Sequence, residues 1–438
     1  MSATAMTTGA LPQLKEDFRI APFEDGTHDT KQYLVEVGDS CFVVNQALRD
    51  VLAALRDGPA TLEELARIYE RRTQQPITVE VLSKLLSTGL PDALFSHTPY
   101  PIKKRPFVFS FRLFPEWMVR PVSSRLSWLF ARRVVIPALC ALLVAEYFVF
   151  SKSLSAIHHT FEVTDLPLLY LVIIGSTLFH ELGHAAACRR YGCPHGEIGF
   201  ALYFIFPAFY TDVTKAWRLS PRRRAVVDIG GVYFQCLLII GFALYASLSD
   251  SAFALRVVWL THFALFFTLN PVFKMDGYWL LSDLSGLTNL HQQVRQTLSR
   301  GFARLRGKSI DTSRQVSGLR LKVLYIYIAL AAVYTVYVVH FLYYSIQDVV
   351  RYYPQQARWF IGFIVAAQQH GDSGAVLRGL LWLAYVSAWP FLLAVITFYM
   401  LRRVVRAVVP KEPFEISLTG WRRAFFARHE ARTPSEPL

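Results

Sequence analysis

The sequence predicts a mainly α-helical, polytopic membrane protein of about six transmembrane helices carrying a membrane-edge β-hairpin. A small α+β, winged-helix-like domain precedes it. Three observations lead there. Of 438 residues, 53% are hydrophobic and the mean hydropathy is +0.31, too apolar for a soluble chain of this size. Six runs, Val134–Phe150, Leu166–Ala187, Val226–Leu248, Val257–Phe273, Val323–Tyr344 and Gly379–Leu401, are near the length a bilayer core requires. Lys and Arg number eight in 101–133, seven in 187–225, eight in 285–322 and eight in 402–438. The intervening loops, 151–165, 249–256 and 345–376, carry only Lys152, Arg256, Arg351 and Arg358. Alternate segments are thus basic, the pattern of a multi-pass protein of the cell membrane with both termini in the cytoplasm. The net charge of +14 is then topological, with some attraction to anionic lipid, rather than a nucleic-acid surface.

Along the chain, residues 1–19 are polar and read as disordered, with no basic start or apolar core of a signal peptide. Residues 20–97 read as the small domain. Tyr33–Val37 and Ser40–Val44 are β-prone runs joined by a Gly-Asp turn. Helices follow over Gln46–Arg56, Thr61–Arg72, opened by the capping box Thr61…Glu64, and Val79–Ser87. Residues 98–133 form a juxtamembrane linker in which basic residues alternate with prolines, Trp117 and Trp128, a composition that suits the bilayer interface. The membrane core occupies 134–290, a basic loop 291–322, C-terminal helices 323–401 and a basic tail 402–438. Gly196–Val213 is apolar but short, rich in β-formers and interrupted by two glycines and a proline, and reads as a membrane-edge β-hairpin or a re-entrant segment. Trp359–Gln368 is also too short to span and reads as re-entrant or interfacial. The five cysteines, Cys41, Cys140, Cys188, Cys193 and Cys236, are scattered and suggest no disulfide framework; Cys188 and Cys193 read as buried packing residues.

The chemistry is concentrated in His180-Glu181-Leu182-Gly183-His184, near the end of the run from Leu166. Two histidines four apart share a helix face and can hold one metal ion, while the adjacent glutamate reaches the same spot. A glutamate and two histidines are costly within a span unless they act. Zinc needs a third protein ligand and a fourth position for water; Asp276, Asp228, Asp212, His195 and Asp283 are candidates. Depth favours Asp276. His180 and His184 lie ~21–27 Å along a helix starting at Leu166, and Asp276 ~28 Å along one starting at Val257, at 1.5 Å per residue. Asn270-Pro271 should break that second helix and let Asp276 turn inward, with Gly277 permitting tight backbone behind it. Asp228 lies at a similar depth, beside Arg222-Arg223-Arg224, and reads as a cap or ion-pair partner, or as support for a ligand histidine. His262 reads as a helix–helix hydrogen bonder, His158-His159 as solvated, and Glu146 as able to reach water by snorkelling.

Two resemblances follow from these residues. The phrases Phe42-Val43-Val44-Asn45 and Asp57-Gly58…Thr61-Leu62-Glu63-Glu64-Leu65 resemble PqqD-like domains, which bind the leader peptides of ribosomally made, modified peptides. FHELGH followed some ninety residues later by NPVFKMDGYWLLSD resembles the site-2 protease family of intramembrane zinc metallopeptidases. The Asn270-Pro271 spacing and the Tyr278-Trp279 sequel lie closer to its peptide zinc metalloprotease subgroup, over roughly residues 100–300. That resemblance implies zinc ligands at His180, His184 and Asp276 and a general acid/base at Glu181. One departure is Val227-Asp228-Ile229-Gly230-Gly231, which lacks the family's Gly-Pro. The expected function is a membrane-embedded zinc metalloendopeptidase acting on a peptide or membrane-protein substrate in peptide maturation or secretion, with the N-terminal domain recruiting it. The alternatives are signalling proteolysis of a transmembrane regulator, and a non-catalytic membrane partner of peptide-export machinery.

Overall fold

A computed structural model describes residues 11–23, 31–38, 40–86, 90, 94–96, 109–156, 166–203, 206–287, 290–307 and 318–408. It divides into two compact units, one running to Ala332 and one from Val333.

The first unit begins with an antiparallel sheet, β1 (Arg19–Phe23), β2 (Gln32–Val37) and β3 (Ser40–Asn45), in the order β1-β2-β3. β2 and β3 are the expected hairpin. β1 escapes a sequence reading because Pro22 argues against a strand; it is tolerated because β1 lies at the sheet edge. Then come α1 (Gln46–Leu55), α2 (Leu62–Thr73) and α3 (Val79–Lys84). Asn45 caps α1 by accepting from the Leu48 N–H at 2.9 Å, and Thr61 caps α2 by accepting from Glu64. The Glu64 carboxylate returns to the Ala60 N–H at 2.8 Å, so the anticipated capping box closes one residue earlier than expected. Val35, Val37, Leu52, Leu65, Leu82, Leu94 and Phe95 form a separate buried core.

The expected linker is structured over its described part. It supplies β4 (Phe109–Phe114), α4 (Glu116–Leu126) and a 3-10 turn over Ser127–Phe130. The membrane core continues with α5 (Arg132–Ala156) and α6 (Leu166–Arg190); His158 and His159 lie outside the described residues. The expected hairpin is β5 (Ile198–Tyr203) and β6 (Phe206–Thr211), and β4 pairs with β5 as an unforeseen third strand. After a 3-10 turn over Thr214–Arg218, the anticipated span Val226–Leu248 is divided at Ile229 into α7 (Pro221–Asp228) and α8 (Gly230–Ser249). α9 (Ala252–Thr268), α10 (Asp276–Ser285) and α11 (Leu290–Leu305) follow, so part of the expected basic loop 291–322 is helical.

α6 and α8 pack backbone to backbone. A Cβ at Gly183 would stand 2.3 Å from the Gly230 carbonyl oxygen, and one at Gly230 would stand 2.8 Å from that of Gly183. Small residues at such a crossing allow close packing where water cannot drive association. Glu146 of α5 is paired rather than snorkelling: it lies 2.8 Å from Nε2 of His262 on α9, so that histidine bridges two helices.

α12 (Gly318–Gln369) carries the chain into the second unit, which also holds α13 (Ser373–Val408). Trp359–Gln368, expected to be re-entrant, is instead the continuation of α12 through Pro354. The helix persists because its far half packs on α13. Tyr353 and Ser387 hydroxyls lie 3.0 Å apart, Phe360 stacks on Trp382, and Gly379 lets Ile364 approach closely. Five helices among the described residues are long and apolar enough to cross a membrane, in α5, α6, α8, α12 and α13; α9 is apolar but has 17 residues. The chain is a multi-pass membrane protein.

Candidate metal centre

His180 and His184 lie one turn apart on α6, and both are buried. Each has one ring nitrogen already engaged. Nδ1 of His180 is 3.0 Å from Oε1 of Gln235 on α8, and Nδ1 of His184 is 2.7 Å from the carbonyl oxygen of Val227 on α7. Both acceptors lack a proton to give, so each Nδ1 carries the hydrogen and each Nε2 presents a lone pair. His180 fits so closely against α8 that a Cβ at Gly231 would stand 2.4 Å from its Nε2.

Asp276 arrives from the other side. α9 ends at Thr268, and the turn Asn270–Met275 is held by Asn270 accepting from the Val272 N–H at 3.0 Å and by the Tyr327 hydroxyl donating to the Pro271 carbonyl. α10 then starts against the end of α9. A Cβ at Gly277 would be 2.1 Å from the Leu269 carbonyl oxygen, so only glycine allows this approach. Asp276, the first residue of α10, thereby turns inward as its sequence context suggested.

Oδ2 of Asp276 lies 3.0 Å from Nε2 of His180 and 3.2 Å from Nε2 of His184, and the two Nε2 atoms are 3.1 Å apart. With both Nδ1 positions protonated, a neutral imidazole has no Nε2 hydrogen to give the carboxylate. Oδ2 is buried without a hydrogen-bond donor. Three lone-pair donors facing one another repel unless a proton or a metal ion lies between them. Ligands ~2.0–2.1 Å from a tetrahedral ion stand about 3.3 Å apart, which the observed triangle fits. His180, His184 and Asp276 are the one such group of metal-ligating side chains among the described residues.

The other candidates have separate positions. Asp212 accepts from the Thr214 N–H and hydroxyl at 3.1 and 2.6 Å, closing the base of the hairpin. His195 has Nε2 2.7 Å from the Ser123 hydroxyl and Nδ1 2.8 Å from the Gly196 carbonyl, tying the hairpin to α4; burial lowers its pKa. Asp283 accepts twice, at 3.0 Å, from Nε of Arg224. Asp228, half-buried at the end of α7, lies beside that pair. Cys188 and Cys193 are buried, free thiols, as expected of packing residues.

Glu181 is buried beside the cluster, and its position depends on the hairpin. The Thr211 hydroxyl on β6 lies 2.7 Å from Oε2 of Glu181 and 2.9 Å from its backbone oxygen. β4 covers one side of the hairpin, and no strand among the described residues pairs with the other edge of β6. Sequence reasoning missed Thr211, Gln235, Ser123 and the Val227 carbonyl. Gln235 alone left a signal, as an isolated amide within an apolar span.

The N-terminal domain docks next to this site. Glu36 of β2 pairs with Arg218 in the 3-10 turn that follows β6. Phe23 of β1 meets Trp217 at 5.9 Å between ring centroids, and the buried Arg224 guanidinium lies over both rings at 5.1 and 5.3 Å. Trp217 contacts Trp279 on α10 at 6.4 Å. A continuous set of contacts therefore runs from the N-terminal sheet to the helix that begins with Asp276.

Fold and site together define a multi-pass membrane protein with a buried His-His-Asp cluster able to chelate a metal ion. The chain is similar to the Bacillus subtilis (strain 168) protein named "Putative peptide zinc metalloprotease protein YydH", at 27% identity over 132 residues. The match covers 30% of this chain and 52% of that protein, so it spans about half the length of the curated relative. No family model and no solved structure matches the chain.

Proposed function

We propose that this protein is a membrane-embedded zinc metallopeptidase of the site-2 protease type that cleaves a peptide or membrane-associated substrate during peptide maturation or secretion. The observation that carries this reading is the convergence of His180, His184 and Asp276 on one point, with Glu181 beside them on the same helix. His180 and His184 would hold zinc through Nε2 and Asp276 through Oδ2. Zinc at that point supplies Lewis acidity and a water acidified towards neutral pH. Glu181 accepts the proton of the attacking water at a carboxylate oxygen and returns it to the leaving amine nitrogen. The Thr211 hydroxyl fixes the orientation of that carboxylate. The open edge of β6 takes the substrate as an added strand, which keeps its backbone extended for attack. The name of the B. subtilis relative supports the same class of substrate.

The N-terminal domain is read as PqqD-like, recruiting the substrate's leader segment and raising its concentration beside the metal site. Its docking at the 3-10 turn that directly follows β6 favours maturation over signalling proteolysis or a non-catalytic role beside an exporter. Three substitutions test the proposal. Glu181→Gln should retain about one zinc per chain and lose nearly all turnover. Asp276→Asn should weaken zinc binding strongly, whereas Asp228→Asn should leave it near normal. Full peptidase activity in Glu181→Gln, with wild-type zinc content, would falsify the assignment.

A further inference from the structure

α11 is turned the wrong way round for a helix packed on a protein. Its apolar residues Leu290, Val294, Leu298, Phe302 and Leu305 form one stripe at helical spacing. The first two pack against the cluster of Tyr278, Leu324 and Tyr327. The last three do not: Leu298 is 46%, Phe302 64% and Leu305 84% exposed. At 3.6 residues per turn these three fall within an arc of about 60°. The opposite side, Gln293, Gln296, Thr297, Arg300 and Ala303, is half-buried. As far as Ala303 the helix therefore directs its polar side towards the protein and its apolar side away, while Arg304 in the last turn of the polar side is exposed.

Charge and depth identify what covers that side. From Ser285 to Gly307 the chain holds Arg295, Arg300, Arg304 and Arg306 and no acidic residue. Arg295, Arg304 and Arg306 are exposed. Leu290 packs on Leu324 and Tyr327, near the start of α12, where the apolar run of that spanning helix begins. α11 thus leaves the core at the level where a span emerges from the bilayer. Tyr325, Ile326 and Leu330 on α12 are exposed as well.

We propose that α11 is an in-plane membrane-surface helix. Leu298, Phe302 and Leu305 enter the acyl boundary of a lipid bilayer, and Arg295, Arg304 and Arg306 meet anionic headgroups. A basic helix with one apolar face is bound in this way by apolar burial plus attraction to anionic lipid. The seat reaches the metal centre, on the reading given above. Leu290 packs against Tyr278, two residues beyond Asp276, and Nε2 of His291 lies 3.2 Å from the Val272 carbonyl in the turn that delivers Asp276.

The test is photochemical and independent of peptidase activity. The full chain carrying Phe302→p-benzoylphenylalanine is reconstituted in vesicles of phosphatidylcholine and phosphatidylglycerol, irradiated and analysed by mass spectrometry. A second protein carries the same probe at the exposed Gln292, on another side of the helix. Lipid adducts are expected at position 302 and not at 292. Adducts to phosphatidylglycerol should be enriched at least about fivefold over its share of the membrane, a factor matching the attraction of one or more basic residues to an anionic surface. Arg295→Gln, Arg304→Gln and Arg306→Gln together should abolish the enrichment with zinc content unchanged. Cross-links at 302 to a second copy or to residues 333–408, without lipid adducts, overturn the proposal. So do equal lipid adducts at both positions, and an enrichment that survives loss of the three arginines removes the headgroup assignment.

Discussion

Replacing Gly231 by alanine places a methyl group where the His180 imidazole lies. The new Cβ would stand 2.4 Å from Nε2 and 2.5 Å from both Cδ2 and Cε1. Non-bonded carbon contacts begin near ~3.5 Å, so the ring must retreat by roughly 1 Å. Metal–ligand distances tolerate only about 0.2 Å. His180 cannot make that movement while keeping Nδ1 on Gln235 and Nε2 aligned with His184 and Asp276. Loss of a hydrogen-bond partner behind a ligand costs ~10–100-fold in metal affinity, and here the ligand itself is displaced. Zinc binding should therefore weaken by about 100-fold or more, with an overpacking cost of about 1–3 kcal/mol to the fold. Gly241→Ala, on the same helix with open space at its Cβ, is the control and should bind zinc as the wild type does. The assay is competition with a chromophoric chelator in detergent, beside thermal melts of the metal-free proteins. Wild-type zinc affinity in Gly231→Ala would refute the placement of His180 against α8.

Three further outcomes are expected. Thr211→Val removes a hydrogen bond to a charged group worth ~1.5–3 kcal/mol, so kcat should fall roughly 10–100-fold with zinc content retained, and Thr211→Ser should restore it. Gln235→Leu leaves the His180 Nδ1–H without an acceptor and should weaken zinc ~10–100-fold, whereas Gln235→Glu, which keeps an acceptor, should not; isothermal competition titrations distinguish them. Reporters fused after Arg132, Ser220 and Arg306 should all report cytoplasm, and one after Ser155 the opposite side, in line with 31 basic residues in one set of segments against four in the other. A cytoplasmic signal at Ser155 would break the alternation of spans and put the metal centre at the wrong face.

The cluster was legible because its signals are local. A pair of histidines at i and i+4 is a single helix face, and Asn270-Pro271 with Gly277 forecasts a helix break followed by a tight restart. The hairpins were legible for the same reason, as adjoining β-prone runs. What escaped depends on distant pairing. β4 becomes a strand through β5, about ninety residues away, and its own sequence is an amphipathic mixture of Phe, Ser and Arg. Thr211 looks like any strand threonine until the fold brings it to Glu181. Trp359–Gln368 misled because length was judged from hydropathy, whereas the helix is sustained by its contacts with α13 rather than by apolar composition. α11 was hidden by its arginines, which made an amphipathic helix resemble a solvated loop.

Arg224 gives the contact between the N-terminal sheet and α10 a thermodynamic meaning. The N-terminal sheet has its own core, yet its Phe23 ring forms one wall of the site that holds this buried cation, while Asp283 of α10 neutralises it. A ligand of the sheet that favours another placement of Phe23 would change the environment of the Arg224–Asp283 pair on the helix that begins with Asp276. Linkage is reciprocal: a peptide that changes metal affinity by some factor must find its own affinity changed by the same factor when metal binds. A double-mutant cycle between Phe23→Ala and Asp283→Asn, scored on zinc affinity, measures that coupling as a single free energy. A non-zero value would make removal of the N-terminal sheet and displacement of Asp276 dependent perturbations, even though some 250 residues of sequence separate them.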